Sequence, residues 1–179
     1  MSTLAKKAKR FLTDSLQIAL VGVISLVLIN IFLGQLLVVS GDSMEPTLHN
    51  KEQVFGEKLS LKLRPIERGD IVIFKDPDTH QLIIKRVIGL PDETFEIIKN
   101  RVFINGKLLK EPYKLGETQG GSALKADKPY KVPVNQFVLL GDNRKVSLDS
   151  REKGFIKREN IISRAIIIYY PLRHFRILK

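Results

Sequence analysis

The apolar positions of this chain fall into two regimes. From Ser15 to Gly41 no side chain is charged, and Leu16 to Val39 is apolar apart from Gln17, Asn30, Gln35 and a few small residues. About 20 apolar residues in a helix cross a bilayer core of about 30 Å, so this run predicts a spanning helix. Beyond residue 41 the pattern shortens to β-type runs. Gln53 to Glu57, the apolar run of Arg68 to Phe74, Leu82 to Ile88, and Thr94 to Lys99 read as strands, with Asp76-Pro77-Asp78 as a turn. Arg101 to Ile104 and Lys107 to Leu109 flank Asn105-Gly106. That dipeptide favours a type I′ turn, because both central residues need positive φ, so a hairpin is predicted. Residues 110–132 are rich in Lys, Gly, Pro and polar side chains and show no apolar periodicity, so they read as a long loop of mobile composition. Phe137 to Leu140 is a short buried strand, and Ile161 to Tyr170 is a core strand too short to span a membrane as a helix. The pattern predicts a mainly β fold: one antiparallel β-sheet domain carried on a single N-terminal transmembrane helix.

Charge gives the predicted helix a direction. The chain has 179 residues and a net charge of +11. Lys6, Lys7, Lys9 and Arg10 stand against Asp14 alone before the apolar run. A basic cluster on the N-terminal flank keeps that end in the cytoplasm and delivers the rest outside. The apolar run is longer than the centre of a cleaved export signal and ends in no small-x-small cleavage pattern, so a retained anchor is expected. The division is a basic tail over 1–14, an anchor over 15–40 and an extracytoplasmic β domain over 41–179. The excess positive charge points to anionic lipid headgroups as partner rather than nucleic acid, given the span beside it. Cysteine is absent, which excludes disulfides and thiolate metal sites.

The candidate chemistry begins where the apolar run ends. Only Ser40, Gly41 and Asp42 separate that run from Ser43. At up to about 3.6 Å per extended residue, the Ser43 hydroxyl is expected close to the bilayer surface. A serine needs a base before it can attack. His49, His80 and His174 are all in polar or terminal stretches, and a triad built on one of them stays open, because triad members lie anywhere in a chain. Lys85, between Leu82-Ile83-Ile84 and Val87-Ile88, is the other choice. Its usual pKa of about 10.4 makes it a base near neutrality only if burial destabilises the ammonium form. A lysine in such a run is commonly an outward-facing residue, and the Lys85-Arg86 pair must point to opposite faces of a strand.

Four segments carry a family resemblance. They are Ser43-Met44-Glu45-Pro46-Thr47-Leu48, Arg68 to Phe74, Lys85 to Pro91, and Gly141-Asp142-Asn143-Arg144-Lys145-Val146-Ser147-Leu148-Asp149-Ser150-Arg151. In this order, after an anchor, they resemble the type I signal peptidases in their compact Gram-positive form. These are membrane-bound serine endopeptidases with a Ser/Lys dyad. The resemblance implies Ser43 as nucleophile, with its backbone N–H as oxyanion donor, and neutral Lys85 as general base. It implies Ser147 as the hydroxyl that orients the lysine amine. Asp149 is implied to support the loop through Arg151 or Arg86, with Asp142 and Arg144 holding the loop against the lysine strand. No metal or cofactor is needed. The implied substrates are exported preproteins, cut after small residues at positions −3 and −1, at the outer face of a bacterial plasma membrane. Met44 and Leu48 are candidates either for the membrane interface or for the core.

The sequence departs from the family pattern at three places. Gly41 stands where some members have a serine that supplements the oxyanion hole. Asp92-Glu93 follows Leu90-Pro91 where Gly-Asp is usual, and Lys145 replaces an acidic or amide residue. Self-cleaving repressors with a similar dyad carry a DNA-binding helical domain in place of the anchor. The remaining alternative is a non-catalytic membrane-tethered β module that binds preproteins or headgroups.

Overall fold

The computed structural model describes residues 3–32 and 34–178, with side chains described at 7, 10–25 and 34–178. Helix α1 (Thr3–Phe32) is followed by β1 (Gly34–Val38), β2 (Gln53–Glu57) and a short helix α2 (Ser60–Leu63). Strands β3 (Ile71–Lys75), β4 (Leu82–Gly89), β5 (Thr94–Ile98), β6 (Arg101–Ile104) and β7 (Lys107–Leu108) come next. Then come β8 (Tyr130–Lys131), β9 (Gln136–Leu140), helix α3 (Ser150–Lys153), β10 (Ile156–Lys157), β11 (Ile161–Tyr170) and β12 (Arg176–Ile177).

The larger sheet runs β1-β2-β11-β3-β4-β9-β10, with β12 on β11, and the smaller runs β7-β6-β5-β8. The named strand pairs are antiparallel. The predicted strands appear within a residue or two of their expected bounds. The Asn105-Gly106 hairpin is present, with φ of 50° and 74° at its two central residues. In β3 successive residues enter two cores. Ile71 and Ile73 join Val39, Met44, Leu48 and Ile84, whereas Val72 and Phe74 join Val87, Phe137 and Leu139. Burial on both faces is why this strand reads as a continuous apolar run. A third cluster, including Phe95, Ile97, Val102, Leu124 and Leu140, joins the two sheets.

The apolar N-terminal run is not one helix. Gly34–Val38 at its C-terminal end is a strand, paired residue for residue with β2. Only glycine fits at 34, because a Cβ would collide with the Phe55 ring. Residues 33–42 therefore lie between α1 and Ser43, not the three-residue tether that the uninterrupted run suggested. Among the described residues no helix is long and apolar enough to cross a membrane. The expected anchor falls partly on residues 26–33, whose side chains lie outside the described set. Met44 and Leu48 are core residues, 1% and 0% exposed, rather than interfacial ones.

Candidate active site

Ser43 stands at the start of a tight turn that leaves the end of β1. Glu45 N–H donates to the Asp42 carbonyl and Leu48 N–H to that of Met44, which winds residues 42–48 into helical turns. Burial of Met44 and Leu48 pins those turns to the sheet. Gly41 has φ +85°, a left-handed conformation that costs a residue with a Cβ. A serine at this position, as in some family members, would need a different backbone. Among the described residues the Ser43 N–H donates to no protein acceptor.

Lys85 comes from the middle of β4, and its Nζ lies 2.7 Å from Ser43 Oγ. The residue is 3% exposed, so it is not the outward-facing lysine that strand alternation alone favours. Burial lowers its pKa to about 8, while Asp149 and Asp142 push it up and Arg151 pushes it down. Desolvation prevails because both carboxylates are already paired. Asp142 takes two hydrogen bonds from Arg86, Nε at 2.8 Å and Nη2 at 2.7 Å. Asp149 takes two from Arg151, at 2.8 and 2.9 Å. Neither pair is a surface contact, since all four residues are buried.

These pairs also build the loop behind Ser43 and Lys85. Asp149 caps α3 through Arg151 N–H and accepts the Gly141 N–H at 3.0 Å. Arg151 donates to the carbonyls of Arg144 and Ser147. Asn143 N–H donates to the Ser43 carbonyl at 3.1 Å, tying the loop to the backbone of that serine. Gly141 cannot be replaced without rearrangement, because a Cβ there would strike Ser147 Oγ and that same Ser43 carbonyl oxygen. Ser147 was expected to hold the lysine amine. Its Oγ is buried, but among the described residues it has no hydrogen-bond partner. Arg144, expected to brace the lysine strand, pairs with Glu111 instead.

Two residues of the site were given no role from the sequence. Thr47 Oγ bridges Asp142 and Arg86, and the Tyr113 ring lies under the Arg86 guanidinium at 4.0 Å. Burial, then Glu111, pushes the Tyr113 hydroxyl up to about 12, so it stays protonated. Glu111, Tyr113 and Leu115 all belong to the stretch read as a mobile loop. Leu115 exchanges backbone hydrogen bonds with Asp142 and Arg144, and Leu124 is buried. That stretch lacks periodicity because it is held by backbone hydrogen bonds and isolated side chains, not by a repeating face. Ser43 and Lys85 open onto a cleft of about 510 Å³ between residues 37–44 and 81–85, with Val146 and Leu148 at its edge.

The family model "Signal peptidase, peptidase S26" matches residues 12–170. The chain belongs to this signal peptidase family. It is similar to signal peptidase I S of Bacillus subtilis, 36% identical over 175 residues and 94% of each chain. It is also similar to a signal peptidase I of Leptolyngbya laminosa, 38% identical over 154 residues, covering 80% of this chain and 72% of the other. A signal peptidase I crystal structure from Enterococcus faecalis aligns at 32% identity and a TM-score of 0.49, over 56% of this chain and 97% of that one. Signal peptidase membership makes the chain a serine peptidase, and the family's activity is removal of signal peptides from preproteins.

Proposed function

We propose that the chain removes signal peptides from exported preproteins through a Ser43/Lys85 dyad, while α1 anchors it in a bacterial plasma membrane with its N-terminus in the cytoplasm. The observation that carries the catalytic part is the 2.7 Å contact between a hydroxyl and a buried lysine amine. Neutral Lys85 takes the Ser43 proton as Oγ attacks the carbonyl before the scissile bond. The unengaged Ser43 N–H is the oxyanion donor. The lysine then gives its proton to the leaving amine, and the acyl-enzyme is released by a water that the same amine activates. Ser147 carries the orienting role in this reading, its buried hydroxyl having no competing partner among the described residues.

Substrate enters by strand addition. Residues 82–85 pair with β3 on one side, but β9 pairs with β4 only at Arg86, Val87 and Gly89. The other edge of residues 82–85 therefore faces the cleft with its backbone groups available to an extended peptide. The bilayer part rests on exposed apolar surface. Leu16, Ile18, Leu20, Val21, Val23 and Ile24 of α1 are 49–74% exposed, more apolar surface than a water-facing helix carries. On the β domain, Leu36, Phe55, Ile167 and Ile177 are cross-strand partners in one row, with the two end members 58% and 68% exposed. Lipid against this row would bring the cleft beside the membrane that holds the signal peptide.

The test is cleavage of a preprotein in detergent by wild type, Ser43→Ala and Lys85→Ala. Each substitution is expected to lower turnover by about 10⁴-fold or more with the fold intact. Wild-type kcat/KM should rise with pH along a limb near the Lys85 pKa of about 8. Cleavage that survives in Ser43→Ala ends the proposal.

A further inference from the structure

The turn that carries Ser43 is held from two sides. On the cleft side, Thr47 meets Asp142 and Arg86, and Asn143 meets the Ser43 carbonyl. On the far side it is held by residues 171–178, a segment that no family motif includes. His174 Nδ1 lies 2.7 Å from Glu52 Oε1, and Arg176 donates to the Thr47 carbonyl. Leu178 packs on the cluster that contains Met44 and Leu48.

The chemistry of Glu52 makes this contact consequential. Glu52 is 2% exposed, and a carboxylate so buried is costly unless both oxygens are hydrogen-bonded. Its Oε2 accepts the His49 N–H at 2.9 Å, and Oε1 has His174. Glu52 also closes the base of the loop, because Val39 N–H donates to its carbonyl and Lys51 N–H returns to Val39. The second imidazole, His49, lies with its Nδ1 3.5 Å from Glu45, its ring centroid 6.1 Å from that of His174. A shift of Glu52 therefore moves the end of the turn that begins at Ser43.

The geometry points to His174 and Arg176 as positioning residues, a clasp that holds the Ser43 turn at proton-transfer distance from Lys85. The inference rests on Ser43 being the nucleophile. Misplacement of a reacting group by a fraction of an ångström lowers the rate without weakening substrate binding.

Full-length His174→Ala, His174→Asn, Arg176→Ala, Ser43→Ala and wild type are compared on a preprotein in detergent, with kcat, KM and Tm measured for each. His174→Ala is expected to lower kcat about tenfold, with KM within about twofold. Its Tm should stay within a few degrees. His174→Asn, whose side-chain N–H reaches as Nδ1 does, should regain most of the loss. Arg176→Ala should show the same kcat-only loss at about threefold, and carries the test if His174→Ala does not fold. An unchanged kcat in both alanine variants overturns the clasp. A loss that follows Tm and is not regained by asparagine also overturns it, because the role is then purely structural. Cleavage by Ser43→Ala would instead remove the peptidase reading beneath it.

Discussion

Lys85 and Arg86 are neighbours on one strand, each 3% exposed, and they meet burial in opposite ways. Arg86 lies against Asp142 with two hydrogen bonds, against the Gly69 carbonyl at 2.8 Å, and over the Tyr113 ring. Its charge is matched by a paired carboxylate. Lys85 has a hydroxyl 2.7 Å away and no carboxylate in contact among the described residues. The nearby carboxylates act on it only at longer range, and each is already engaged by an arginine. The difference shows what lowers the pKa of an amine in a basic protein. Burial is the largest influence and favours the neutral amine, Asp149 and Asp142 oppose it, and the Arg151 guanidinium adds to it. Arg151 thus favours the neutral form of Lys85 without touching it, whereas Arg86 is spent on Asp142.

The strongest way to break this contrast is Arg86→Met. It leaves Asp142, which is fully buried, with the Thr47 hydroxyl as its remaining side-chain partner. Breaking a buried ion pair from one side costs about 3–5 kcal/mol. Urea denaturation should show a loss of that size, and Asp142→Asn added to Arg86→Met should recover much of it. A loss below about 1 kcal/mol would place the pair with ordinary surface contacts and remove the argument for matched burial.

The four family segments and most of the individual strands of the β domain were legible because they depend on local pattern. Asn105-Gly106 announces its own turn, and β4 announces itself by its apolar run. The contact between Ser43 and Lys85 was legible only in part. Strand alternation puts Lys85 and Arg86 on opposite faces, but it cannot say that both faces are covered. That depends on which distant strands pack there. β1 was hidden for a different reason, since a buried strand following an apolar helix continues the same uncharged run, with Gly34 as its one mark. The contacts that Glu111, Tyr113 and Thr47 make at the site leave no local pattern, because each joins residues far apart in the chain.

Lys85→Met sharpens the contrast at intermediate size. Lys85 falls from 10.5 to about 8 on folding, and at about 1.4 kcal/mol per pH unit its charged form destabilises the native state by about 3 kcal/mol. Methionine fills a similar volume without the charge. The variant should therefore be more stable than wild type. The sign fixes the pH window. The gain is complete below about pH 8, where lysine is charged in both states, and fades toward 10.5, where the unfolded lysine also loses its proton. Denaturation midpoints at pH 7 and pH 10 measure it. Equal gains at both pH values would mean that packing, not desolvated charge, sets the difference.

Asp149→Asn is the finest probe, because it removes a distant counter-charge and leaves the dyad in place. Asp149 is the larger of the two carboxylate influences that raise the Lys85 pKa, and Arg151 opposes it. An amide oxygen can still accept the Gly141 N–H, so the loop keeps its tie to β9. With the carboxylate gone and the guanidinium left, the ammonium form of Lys85 is less favoured. The acidic limb of kcat/KM should then move down by up to about one pH unit. At pH 7 the variant would recover in base strength part of what it loses in loop stability, whereas at pH 9 only the loss would remain. An upward shift would mean that Arg151, once freed, no longer lies near the amine. An unmoved limb would assign the titration to a group other than Lys85, and the neutral-amine argument for the site would fall with it.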